Sequence, residues 1–211
     1  MRKLLLIAVV AMTASMTLTS CSNDDDAVDV VPRPEEQVVL NCTKPEYLKA
    51  GDKVAMISPS YFTPMETIEK AADVLRSWGF EPVIGPNVGK VLDGKIGGTV
   101  EERVSDIHWA LSDPSIKAIL CNRGGYGTIQ LIDQLPFDEV KAARKWIVGY
   151  SDISTIHGFW SRTGVMSILG TMSTTLAKGG TDKTCTMGTS ILRHNKPAKT
   201  ASRIANTTRT A

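Results

Sequence analysis

Histidine is scarce in this chain, with three in 211 residues, and cysteine is hardly commoner, with four. The cysteines stand at 21, 42, 121 and 185, spacings that match no metal site, so neither a metal nor any other cofactor is read from them. Neither GxxxxGKS/T nor a clean GxGxxG occurs. The Gly-rich stretch NVGKVLDGKIGG (87–98) therefore reads as a plain loop and not as a phosphate cradle. Aromatic residues make up only 6% of the chain and no basic stripe carries them, which excludes nucleic acid as a partner. The net charge of +2 is unevenly placed: residues 181–211 hold six Lys/Arg and one Asp, leaving 18 basic and 21 acidic residues before them.

What is present begins with a leader. MRKLLLIAVVAMTASMTLTSC has Arg2 and Lys3, an apolar run too short to span a bilayer comfortably, and then small residues. This is the grammar of a secretory signal peptide over residues 1–20. Leu18-Thr19-Ser20-Cys21 resembles a bacterial lipobox, in which the cysteine becomes the lipidated first residue of the mature chain. Cys21 is the expected lipidation site, and multiple acyl chains would hold the protein firmly to a bacterial membrane without a spanning helix. The acidic SNDDD after it suggests the outer membrane, with surface exposure. Cys121 closes an apolar run and reads as a buried small hydrophobe.

Residues 21–50, rich in Asp, Pro, Glu and Val without period, read as a tether. From 51 to 178 the character changes to alternating strand and helix signals. KVAMISPS (53–60) is a buried strand and its exit loop. TPMETIEKAADVLRSWGF opens on Thr63, Pro64 and Glu66, which predicts a capping box and a helix. FEPVIG follows as a strand, placed at a sheet edge by Pro82. TVEERVSDIHWALSDPS is a second capped helix, with Thr99 and Glu102 at box spacing. IKAILC (116–121) and KWIVG (145–149) are strands, TIQLIDQL a short helix, DISTIHGFWSRTG a helix and VMSILG a strand. The repeated order predicts an α/β domain with a mainly parallel sheet flanked by helices.

In such sheets, sites form at the carboxyl ends of the strands. Three loops there stand out: SPS (58–60), RGGYG (123–127) and GYSD (149–152). Glycines in the second allow backbone N–H groups to approach an oxyanion. Ser151, between a strand and a helix, has the place of a nucleophile elbow, but the usual spelling is G-x-S-x-G and here the fifth residue is Ile153. The same position suits a helix N-cap, and the residues alone leave both readings open.

RGGYG followed by GYSD, after the opening GDKVAMISPS, resembles the LD-carboxypeptidase family of serine peptidases, over roughly residues 45–178. The family includes murein tetrapeptide carboxypeptidases and microcin-immunity peptidases. The resemblance implies the N-terminal domain of a two-domain fold, with Ser151 as nucleophile and the backbone amides of Asp152 and Gly125 as oxyanion hole. Arg123, Gly124, Tyr126 and Ser58 would face the substrate. The implied reaction removes the C-terminal D-residue from an L,D bond of peptidoglycan tetrapeptides, with peptidoglycan-derived peptides as partners, no metal, no cofactor, and room for a homodimer. In the family the catalytic Glu and His come from the C-terminal domain, which the sequence is expected to lack. From about Thr181 it becomes rich in Thr, Lys and Arg, and 179–211 reads as a disordered tail. Of the three histidines, His157 lies about 9 Å down the helix behind Ser151, His108 belongs to an earlier helix, and His194 to the tail. Leu169 stands where many members have His. The rival expectation is a non-catalytic envelope lipoprotein that binds muropeptides or a protein partner.

Overall fold

The computed structural model describes residues 42–179. The expected signal peptide, Cys21, the tether up to residue 41 and the tail from residue 180 lie outside the described residues.

Five strands form one parallel sheet: β1 (Lys53–Ile57), β2 (Glu81–Ile84), β3 (Ile116–Cys121), β4 (Trp146–Gly149) and β5 (Ile168–Leu169), in the order β2-β1-β3-β4-β5. Helices α1 (Met65–Ser77), α2 (Val100–Ser112), α3 (Phe137–Ala143), α4 (Ser154–Arg162) and α5 (Ser173–Leu176) cover it, with a 3₁₀ segment at Thr128–Gln134. The central strands β1, β3 and β4 read as mainly apolar runs because both their faces are buried. Val54, Met56, Ala118, Leu120, Trp146 and Val148 pack on one side with Ile68, Ala71, Ala72 and Leu75 of α1 and Leu176 of α5. Ala55, Ile57, Ile119, Cys121 and Ile147 pack on the other, under Val104 and Ile107 of α2, Val140 of α3, and Ile156 and Trp160 of α4. Cys121 is fully buried, and burial pushes its thiol far above the usual range.

Pro82 lies on β2, the outermost strand beside β1, where a missing ladder N–H costs least. The Thr99 box closes in full: the Thr99 hydroxyl accepts from the Glu102 amide, and the Glu102 carboxylate accepts from the Thr99 amide. The expected box at Thr63 does not form. Pro64 takes the N-cap position of α1, and the Thr63 hydroxyl is buried with no partner among the described residues. TIQLIDQL winds as 3₁₀, and α3 has no counterpart in the sequence reading.

The tether boundary also shifts. Residues 42–50 pack on the domain: Leu48 is buried, the Trp146 indole donates to the Glu46 carbonyl, and Thr43 bridges to Val165. A buried leucine, an indole bond and the backbone bonds of Thr43 to Gly164 and Met166 fix a stretch whose composition looks unstructured.

Strand order reverses at β1, whose neighbours are β2 and β3. A crevice is therefore expected where the exit loops of β1 and β3 diverge, with the β4 exit loop beside them.

Candidate active site

β4 ends at Gly149, Tyr150 continues extended, and Ser151 turns sharply with φ +64°. A non-glycine residue in the left-handed region costs about 1–2 kcal/mol, so something must hold it there. Two features do. Ile153 is fully buried, and its side chain fills the space a Gly149 side chain would need, within 2.9–3.1 Å of an ideal Cβ. Asp152 is clamped: its carboxylate accepts from the Ser60 hydroxyl at 2.7 Å and the Thr128 amide at 3.1 Å. Its carbonyl accepts from the Thr128 hydroxyl at 2.6 Å.

The helix-cap reading of Ser151 fails on this geometry. An N-cap residue sits in the β region with its side chain bonded to an amide of the first turn. Ser151 does neither; its side chain caps neither the 3₁₀ turn Ser151–Ile153 nor α4, and it is exposed. Strand, strained turn and helix make the elbow geometry. The departure from G-x-S-x-G has a packing reason, since only one of the two close positions, Gly149, needs to be glycine when Ile153 nests over it.

RGGYG lies alongside. An ideal Cβ on Gly124 would stand 3.1 Å from the Ser151 Cβ and 3.4 Å from its Oγ, so Gly124 is the residue that abuts the serine. Gly125 has φ +136° and is covered by Tyr61, whose ring atoms come within 2.4–2.8 Å of an ideal Cβ. Among the described residues nothing accepts a hydrogen bond from the Gly124 or Gly125 amide. Arg123 is exposed, with its guanidinium 5.7 Å from the Tyr61 ring centroid, and Tyr126 is exposed too.

Ser58 stands apart from this exposed group. It is buried, and its hydroxyl accepts from Asn122. Asn122 is itself fully buried and also accepts from the Ser173 hydroxyl and the Thr174 amide, joining the exits of β1 and β3 to α5. The two residues brace the crevice floor.

The sequence reading missed Arg103, 2% exposed on α2. Its guanidinium donates to the carbonyls of Pro59 and Gly127 at 3.0 Å, to the Gln130 side chain at 2.8 Å and to the Thr99 carbonyl at 3.2 Å. Burial lowers its pKa, and the nearby Asp152 carboxylate opposes that. The available signal was an arginine one residue before Val104 in the apolar stripe.

Neither of the two described histidines, His108 and His157, reaches Ser151. The His157 ring Nε2 lies 3.0 Å from the Gly149 carbonyl and donates to it, while its Nδ1 is buried without a partner among the described residues. Burial lowers its pKa. His108 meets Glu139 at 2.9 Å on the helical layer. The described residues hold no cluster of metal-ligating side chains. A cavity of about 770 Å³ opens at the amino ends of the strands, lined by Lys44, Tyr47, Lys117 and Lys145, at the opposite end from Ser151.

A family model described as the LD-carboxypeptidase N-terminal domain matches residues 54–170. A Streptomyces coelicolor protein provisionally named a carboxypeptidase is 37% identical over 134 residues, covering 62% of this chain and 43% of that protein. The murein tetrapeptide carboxypeptidase of Pseudomonas aeruginosa is 34% identical over 125 residues, covering 59% of this chain and 40% of its own length. The crystal structure of an MccF-like protein from Bacillus anthracis superposes with a TM-score of 0.67 at 28% identity, over 73% of this chain and 48% of that one. The chain thus spans a little under half the length of these curated relatives.

Proposed function

Since the chain belongs to the LD-carboxypeptidase family through that family's N-terminal domain, we propose that it is the nucleophile-bearing half of a serine carboxypeptidase acting on murein tetrapeptides. One observation carries the reading: Ser151 is exposed and held at φ +64° against Gly124, with its side chain capping no helix. In this reading the Ser151 Oγ adds to the carbonyl of the terminal L,D bond while a base takes its proton. The backbone amides of Asp152 and of Gly124 or Gly125 hold the oxyanion. Collapse breaks the C–N bond, the base returns the proton to the departing D-residue amine, and water then hydrolyses the acyl-serine.

The base and its orienting carboxylate are proposed to stand outside residues 42–179, because the described histidines are committed elsewhere. A serine peptidase missing a triad member keeps only the residual catalysis of its oxyanion hole and binding. The test is D-alanine release from an L,D tetrapeptide by three proteins: the chain, a fusion carrying a relative's C-terminal half after Ala177, and that fusion with Ser151→Ala. The fusion is expected to be active and the other two nearly silent. An active Ser151→Ala fusion would remove Ser151 from the mechanism.

The lack of any base beside Ser151 among the described residues also favours a second reading, a non-catalytic muropeptide-binding lipoprotein. An inactive fusion that still binds the tetrapeptide would support it. In both readings attachment through Cys21 is proposed from the lipobox-like tetrad. Cys21→Ala is expected to leave the membrane fraction or to stay unprocessed.

A further inference from the structure

Arg123 follows β3 by two residues and precedes Gly124, the residue in contact with Ser151. Its guanidinium lies over the Tyr61 ring, 5.7 Å from the centroid, and that ring in turn packs closely against Gly125. The arginine is therefore held by an aromatic face instead of a carboxylate. Among the described residues it makes no ion pair and donates no hydrogen bond, and the side chain is exposed. With no acceptor among the described residues, its N–H groups remain free for a planar anion.

A carboxypeptidase differs from an endopeptidase in one chemical respect: a free carboxylate lies next to the scissile bond. Consecutive Cα atoms are about 3.8 Å apart, so the terminal carboxylate and the carbonyl under attack are one residue apart. Arg123 puts a cation with free donors on the same exit loop as the glycine that abuts the nucleophile. We propose that Arg123, fixed by Tyr61, binds the free C-terminal carboxylate of the substrate and thereby restricts the site to the terminal residue. This rests on the murein-peptide reading above and adds the group that sets its exo-specificity.

Binding to the full chain tests this without requiring turnover. The probes are a synthetic murein tetrapeptide ending in D-alanine, as the free acid and as the C-terminal carboxamide. Any other carboxylate of the peptide is present in both, so their difference isolates the terminal one. Wild-type protein is expected to bind the acid at least about tenfold more tightly than the amide, the scale of one charge-assisted hydrogen-bonded pair. Arg123→Gln should bind both at the amide's affinity, and Tyr61→Leu should lose part of the discrimination. Lys117→Gln, an exposed cation at the amino end of β3, should keep all of it. Equal binding of acid and amide by the wild type, or undiminished discrimination in Arg123→Gln, overturns the assignment while leaving the murein-peptide reading intact. Failure of the wild type to bind either form overturns both.

Discussion

The Ser60 hydroxyl donates a 2.7 Å hydrogen bond to the Asp152 carboxylate, joining the exit loop of β1 to that of β4 across 92 residues of sequence. The same carboxylate oxygen takes the Thr128 amide, so one side chain ties the three loops of the crevice together. Asp152 thus has a structural task distinct from the oxyanion role proposed for its amide.

Truncating the two partners should therefore be unequal. Ser60→Ala removes one donor from a charged acceptor and should cost about 1–2 kcal/mol. Asp152→Ala strands the Thr128 amide, leaves the Ser60 hydroxyl only its longer bond to the Tyr126 carbonyl, and removes a carboxylate charge that favours the Arg103 cation. It should cost about 3 kcal/mol or more. Urea unfolding of both variants checks the order, and equal losses would refute the clamp.

The turn at Ser151 makes a prediction that separates strain from chemistry. Glycine adopts a φ of +64° without the Cβ penalty, against a smaller entropic cost in the unfolded chain. Ser151→Gly should be more stable than Ser151→Ala by about 1 kcal/mol, and both should be inactive in the fused enzyme. A less stable glycine variant would show that the turn carries no strain.

The sheet was legible because strands buried on both faces must spell apolar runs, as KVAMI, IKAILC and WIVG do. RGGYG and GYSD were legible as exit loops for the same reason. The site's supports were not. Arg103 and Asn122 act through bonds to backbone spread over distant loops, and no periodicity encodes such partners. Thr63 shows the converse failure: the box letters are present, yet Pro64 occupies the cap and the hydroxyl finds no amide. Ser58 carried a plausible position but points into the floor, a direction that alternation along a strand could not supply once the strand had ended.

His157 gives the domain a pH response. Its folded pKa is lowered, burial being the main cause and the Gly149 carbonyl opposing it. The unfolded chain, with an ordinary histidine near pH 6.5, therefore binds the proton first as pH falls. Stability is fully present above about pH 6.5 and is lost as pH drops through the lowered folded value. Wild type should lose more stability between pH 7.5 and 5.5 than His157→Gln does. Parallel losses in the two proteins would place the titration elsewhere.

Arg103 offers the sharpest test of how the crevice is held. Its guanidinium satisfies the Pro59 and Gly127 carbonyls from the loops that carry Ser60 and Thr128, the two donors to Asp152. Arg103→Met keeps most of the apolar stem but leaves those carbonyls and the Asp152 charge without it, and should cost about 3–5 kcal/mol. Arg103→Lys should recover little, because a single ammonium cannot reproduce a fork that spans two loops and Gln130. If Arg103 and Asp152 act through the same loop arrangement, their losses should not add. The double variant Arg103→Met with Asp152→Ala should then be less damaged than the sum of the singles by about 1–2 kcal/mol. Additivity within about 0.5 kcal/mol would mean that the arginine supports α2 alone and the clamp on the Ser151 turn stands without it.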